Sequence, residues 1–140
     1  MELIKLFLWS LWVTTVIAGI GVIADLWLIN FKFKPWLKPK WLWNLVELVA
    51  IFGLINCRGW SPLPWWHMAP LYASMVFVWW AVHDCWLGWG LNEGPFFLGQ
   101  SKWDRFFFRI FNQFGLPAGL NFLIVKLFWG FLAAAAFFSL

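Results

Sequence analysis

Charge is scarce in this chain. Of 140 residues, 11% are Asp, Glu, Lys or Arg, against about 25% in a soluble domain. A water-soluble fold of this size would lack the polar groups to cover its surface, so the composition predicts lipid as the solvent. Cysteine and histidine are scarce too, with two of each. Two cysteines do not make a disulfide scaffold, and the four residues lack the ligand spacing of a structural zinc site. Phosphate loops, nucleotide fingerprints and Ser/His/Asp arrangements are absent. The segment 94–99, GPFFLG, lacks the lysine of a phosphate cradle and reads as a turn. No motif names a reaction, and nothing in the sequence requires an enzyme.

Length sets a second bound. Four bilayer spans of about 20 residues use most of the 140 residues and leave no room for a soluble catalytic domain. Any chemistry is expected within the membrane or at its surface.

Apolar and aromatic residues are what the sequence has in excess. Hydrophobic residues make up 64% of it, with 15 Trp and 17 Phe, and the mean hydropathy is +0.77. Trp favours the headgroup level, where its ring is buried and its N–H stays wet. Trp9, Trp12, Trp36, Trp41, Trp43, Trp60, Trp65, Trp66, Trp86 and Trp89 flank the apolar runs, as an aromatic belt would. The same rings suit contact with partner subunits, sterols, carotenoids or other pigments.

Four spans are expected, at about 6–30, 41–57, 68–89 and 117–139, in a single all-α membrane domain. The first apolar run is longer than the core of a signal peptide, and only Glu2 and Lys5 precede it, so it is read as a retained helix. Pro35 and Pro39 break the chain after it. The second span is short and ends in a turn over 57–64. Pro70 suits the first turn of the third helix, and Gly88, Gly90, Gly94 and Pro95 are expected to end it.

Between the third and fourth spans, residues 101–114 have helical spacing. Ser101 and Asp104 resemble a capping box. Trp103, Phe106, Phe107, Ile110, Phe111 and Phe114 recur on one face, with Lys102, Arg105, Arg109, Asn112 and Gln113 mostly on the other; Phe108 breaks the pattern. Such a helix should lie flat in the interface, with Lys102, Trp103, Arg105, Phe106, Phe107, Arg109, Ile110 and Phe111 touching lipid. Gly115 and Pro117 then turn the chain into the last span.

The net charge of +4 does not call for nucleic acid. Lys32, Lys34, Lys38, Lys40, Lys102, Arg105 and Arg109 lie on one side of the expected membrane; Lys5 and Arg58 lie on the other. Seven against two places the basic loops in the cytoplasm and both termini outside, in a bacterial inner membrane or its equivalent. Attraction to anionic headgroups follows.

Ionisable residues within spans are costly and therefore suspects for function. Asp25, Glu47, Asp84 and Lys126 are such residues, and His83 adjoins Asp84. Asp25 lies seven residues before Lys32, Glu47 seven after Lys40, Asp84 ten before Gly94 and Lys126 nine after Pro117. At 1.5 Å per residue all four fall within about 10–15 Å of the cytoplasmic surface. Thr14, Ala18, Gly21 and Asp25 share a helix face, as do Ser74, Ala81, Asp84 and Gly88, and Lys126, Gly130 and Ala133. Small residues at this spacing let helices approach closely, so the charges should face inward. Lys126 is expected to pair with Glu47 or an Asp. Three carboxylates around one lysine leave a group able to exchange protons. A weak internal repeat, Asp-x-Trp-Leu at Asp25 and Asp84 with Asn44/Gly53 matching Asn121/Gly130, fits a duplicated helical hairpin.

His67 and His83 are about 24 Å apart along one helix, so they do not share a metal. Either could be a single axial ligand to haem or chlorophyll; no cofactor is required. Cys57 and Cys85 fall on opposite membrane sides, too far apart for a disulfide, and are expected as buried small apolar residues.

These features support two main expectations of function. One is a non-catalytic integral membrane subunit of a respiratory, photosynthetic or transport complex, held by lipids and by other membrane subunits. The other is a small homo-oligomeric proton or cation transporter or channel built on the carboxylates. A membrane-interface enzyme using Asp25, His83 and Asp84 is the third, and no feature demands it.

Overall fold

The computed structural model describes residues 1–30, 40–57, 63–94 and 102–140. Lys32, Lys34, Pro35, Trp36, Lys38, Pro39, Arg58, Trp60, Pro95 and Ser101 lie outside the described residues, as do the side chains of Lys40, Trp41, Lys102, Trp103 and Asp104. Among the described residues the chain forms five α-helices: α1 (Glu2–Asn30), α2 (Lys40–Asn56), α3 (Trp65–Gly90), α4 (Lys102–Phe111) and α5 (Ala118–Ser139). A 3-10 turn, Asn112–Phe114, follows α4, and no strand occurs among the described residues.

Among the described residues, two stretches are long and apolar enough to cross a membrane, Glu2–Trp27 of α1 and Ala118–Ser139 of α5. The other two expected spans differ, each for its own reason. The apolar stretch of α2, Leu42–Asn56, is shorter. α3 has 26 residues, but Trp65, Trp66, Trp79, Trp80, Trp86 and Trp89, with two His and an Asp, replace aliphatic side chains.

Local chemistry explains where the helices begin and end. α1 starts before residue 6, and in its first turn Lys5 Nζ donates to Glu2 Oε1, three residues away, at 2.9 Å. α3 starts at Trp65, where the Pro64 carbonyl accepts from the N–H groups of His67 (2.9 Å) and Met68 (3.2 Å). Pro70 is therefore inside α3, one turn beyond the position expected for it, and has no N–H to return to the preceding turn. The end of α3 also departs from expectation. Asn92 takes the left-handed conformation (φ 60°), and Glu93 N–H reaches back to the Gly88 carbonyl at 2.9 Å. This is a Schellman closure made with Asn in place of Gly, and Gly88 and Gly90 remain helical. Gly115 (φ 74°) closes the 3-10 turn, as its position before Pro117 suggested.

The long helices alternate in direction. Trp9 of α1 donates to the Leu54 carbonyl of α2 (3.4 Å), while Gly21 lies against Glu47, so α2 runs back along α1. Asn56 and Tyr72 exchange hydrogen bonds of 2.6 and 2.9 Å between α2 and α3. Ser74 Oγ donates to the Gly130 carbonyl at 3.0 Å, and His67 meets Phe137, so α5 runs back along α3. α3 thus sits between α1 and α5. A Cβ on Gly130 would come 3.3 Å from Phe77 Cβ, so a small residue is needed at this crossing.

The interior holds Leu6, Ala18, Ile51, Ile55, Leu71, Met75 and Phe137, all buried, together with Ser10, Thr14, Ser74, His83, Asn121 and Lys126. Ile20, Ile23, Trp27, Val49, Leu127, Phe128 and Phe131 are exposed. Several polar groups are thus inside, others such as Glu2, Lys5, Arg105 and Arg109 stay at the surface, and much of the apolar surface is outside.

Candidate functional site

Four helices contribute to one polar cluster. The face of α1 carrying Thr14, Ala18 and Gly21 is buried and ends in half-buried Asp25. The face of α3 carrying Ser74, Ala81 and Gly88 is buried around half-buried Asp84. On α5, Lys126 and Gly130 are buried. Helical geometry with small neighbours therefore points Asp25, Asp84 and Lys126 into the packed region.

The contacts form a chain. Asp25 Oδ2 lies 3.2 Å from His83 Nε2, and His83 Nδ1 lies 3.6 Å from Asp84 Oδ1. Asp84 Oδ2 accepts a hydrogen bond from Lys126 Nζ. His83 and Asp84 are adjacent on α3, and neighbours on a helix point in different directions. Here one side chain turns toward α1 and the other toward α5, so the pair bridges both flanking helices. Lys126 is 3% exposed and is also covered by rings, its Nζ 4.1 Å from the Phe122 centroid and 4.7 Å from that of Trp80. Ring faces stabilise a cation most where water is excluded.

Glu47 reaches the cluster from α2. Its Oε2 accepts the Trp79 indole N–H at 2.7 Å, and the Trp79 ring lies 5.5 Å from the His83 ring. The cation that expectation offered to Glu47 or to an Asp makes its hydrogen bond to Asp84. Depth alone left that choice open, because depth does not tell which way a side chain points around its helix.

Sequence reading missed Trp79, Trp80 and Phe122. Trp79 lies one turn before His83, far from either helix end where a belt Trp belongs. A mid-helix Trp one turn from an ionisable residue is the signal that would have found it, because a buried indole needs an acceptor.

The expected interfacial face of α4 is divided. Phe107 and Phe111 stack on Phe122 of α5 at 4.7 and 5.3 Å, and Asn121 Nδ2 donates to the carbonyls of Phe111 (2.8 Å) and Leu116 (3.1 Å). Phe106, Phe108, Ile110 and Phe114 remain exposed, beside exposed Arg105 and Arg109.

The other expected features fall apart from the cluster. His67 packs its ring on Phe137 at 5.6 Å. Cys57 is exposed and Cys85 half-buried, both as thiols; neither is the buried apolar residue expected, and Cys57 follows the last residue of α2. The two halves of the proposed repeat differ in environment. Asn121 and Gly130 are buried, whereas Gly53 is exposed with open space around it. Among the described residues, no three His, Cys, Asp or Glu side chains are grouped to hold a metal ion. No family model, curated protein or solved structure matches the chain.

Proposed function

We propose that the chain is an integral membrane protein that crosses the bilayer with α1, α2, α3 and α5, and that it serves as a non-catalytic subunit of a larger membrane complex. The observation that carries this reading is the distribution of polarity: Lys126, His83, Asn121 and Ser74 are buried and in polar contact across helices, while Trp, Phe, Leu and Ile cover the outside. Lipid favours that arrangement and water does not. α2, at about 26 Å for its 17 residues, is shorter than a hydrocarbon core of about 30 Å. A lateral partner or local thinning of the bilayer would offset that mismatch. α4 then lies in the interface on the side of the basic loops, and that side is cytoplasmic by the distribution of Lys and Arg. The outward Trp residues are the surface offered to lipids and to neighbouring membrane subunits.

Gentle detergent extraction at native expression level tests this, followed by native mass measurement and an absorption spectrum. Stoichiometric foreign subunits are expected. A folded monomer that is soluble without detergent would overturn the membrane reading, and a colourless homo-oligomer would overturn the subunit reading.

A second reading, a small proton or cation transporter, is favoured by the connected Asp25, His83, Asp84 and Lys126 chain with Glu47 beside it. It requires ion flux by the purified protein in liposomes, lost on Glu47→Gln or Asp84→Asn.

A further inference from the structure

His83 is 3% exposed and is flanked by acids on both ring nitrogens. Nε2 faces Asp25 Oδ2 from α1 at 3.2 Å. Nδ1 faces Asp84 Oδ1 of its own helix at 3.6 Å. A neutral imidazole has one N–H and one lone pair. Whichever tautomer forms, a lone pair then lies beside a carboxylate, next to a buried ring where water screens the repulsion only in part. One additional proton removes the conflict, either as the second N–H of the ring or on the facing carboxylic acid. The other charged groups around the ring narrow its position. Lys126 of α5 donates to Asp84 Oδ2, which makes Asp84 the acceptor of that pair. Glu47 of α2 accepts from the Trp79 indole, whose ring lies 5.5 Å from that of His83. The additional proton therefore belongs between His83 Nε2 and Asp25 Oδ2.

We propose that Asp25, His83 and Asp84 form a proton-binding site that holds one more proton than a neutral imidazole between two carboxylates, and that this proton fastens α1 to α3. The side chains of Asp25 and Asp84 are 22% and 27% exposed, so the proton can exchange with water beside a buried ring. The titration belongs to the three groups together and not to one of them. The site does not depend on which partners the protein assembles with.

The test is the pH dependence of thermal or denaturant unfolding of the full chain in detergent micelles. Unfolded His is neutral above about pH 6.5 and unfolded Asp is ionised, so unfolding in alkali releases the additional proton. Stability then falls as pH rises, with the unfolding constant increasing about tenfold per pH unit while the proton stays bound. Asp25→Asn can turn its amide N–H2 toward the imidazole lone pair, so this variant should fold and lose that slope. His83→Gln should lose it too. Histidine 15N resonances, assigned by His83→Gln with His67 as the internal comparison, give a second readout. A proton count above that of a neutral ring, abolished by Asp25→Asn, is expected. The proposal is overturned if Asp25→Asn keeps the full slope, or if the wild-type ring is a plain neutral tautomer near pH 7 in the folded protein. Neither outcome bears on co-purification with foreign subunits.

Discussion

Lys126 shows how one residue is settled by its surroundings. A buried ammonium is tolerated only when it is paired and its remaining donors are occupied; Asp84, Trp80 and Phe122 together provide that. Asp84→Asn should therefore destabilise the fold by about 3–5 kcal/mol, because it strands the ammonium. Asp84→Asn with Lys126→Met should recover most of that loss. Equal losses in the single and double variants by denaturant unfolding in micelles would show that the pair is not coupled. Gly21 gives a second case. A Cβ there would overlap the Glu47 carboxylate, so Gly21→Ala must swing Glu47 away and break its bond from Trp79. A loss of about 1–3 kcal/mol is expected, as for other overpacked sites, with relief when Glu47→Ala is added; additive losses would count against the contact. The inward faces of Asp25, Asp84 and Lys126 were legible from their small neighbours at helical spacing. The partner of Lys126 was not, because Glu47 and Asp84 lie at similar depth and only the packed azimuths separate them. The imidazole bridge from His83 to Asp25 was not legible either, because a contact between helices leaves no mark on local spacing.

The elements themselves were legible from apolar runs, prolines and the 3.6-residue period of 101–114, because these act within one helix. Their ends were less so. Asn92, not a neighbouring glycine, takes the left-handed cap of α3, and Pro70 sits inside that helix. α4 makes the same point about faces. Its periodicity showed that it is amphipathic but could not divide its Phe residues between α5 and the outside. In the structure Phe107 and Phe111 anchor α4 to α5 through Phe122, and Asn121 ties the turn that follows. Phe111→Ala and Asn121→Ala should each release α4 and leave α5 in place. Limited trypsin digestion of protein in liposomes should then cut at Arg105 and Arg109 several-fold faster, whereas Phe106→Ala should change the rate little. Equal acceleration by all three would mean that lipid, and not α5, holds the helix.

At the scale of the whole molecule the open quantity is orientation. If the chain crosses the bilayer as proposed, hydrophobic burial would not set it, because lipid is as apolar as the helix exteriors. In the proposed arrangement the asymmetry of Lys and Arg would set it. The two cysteines are placed to read it. Cys57 is an exposed thiol at the end of α2, and Cys85 is half-buried near the other end of α3. α2 and α3 run in opposite directions with Asn56 beside Tyr72, so Cys57 lies near the start of α3, on the side opposite to Asp84. With basic loops inside, a membrane-impermeant maleimide added to intact cells should label Cys57, and Cys57→Ser should abolish the signal. Labelling of Cys57 only after the cells are opened would place the basic loops outside. The polar cluster would then face the exterior, and any proton held by Asp25, His83 and Asp84 would exchange with the external medium instead of the cytoplasm.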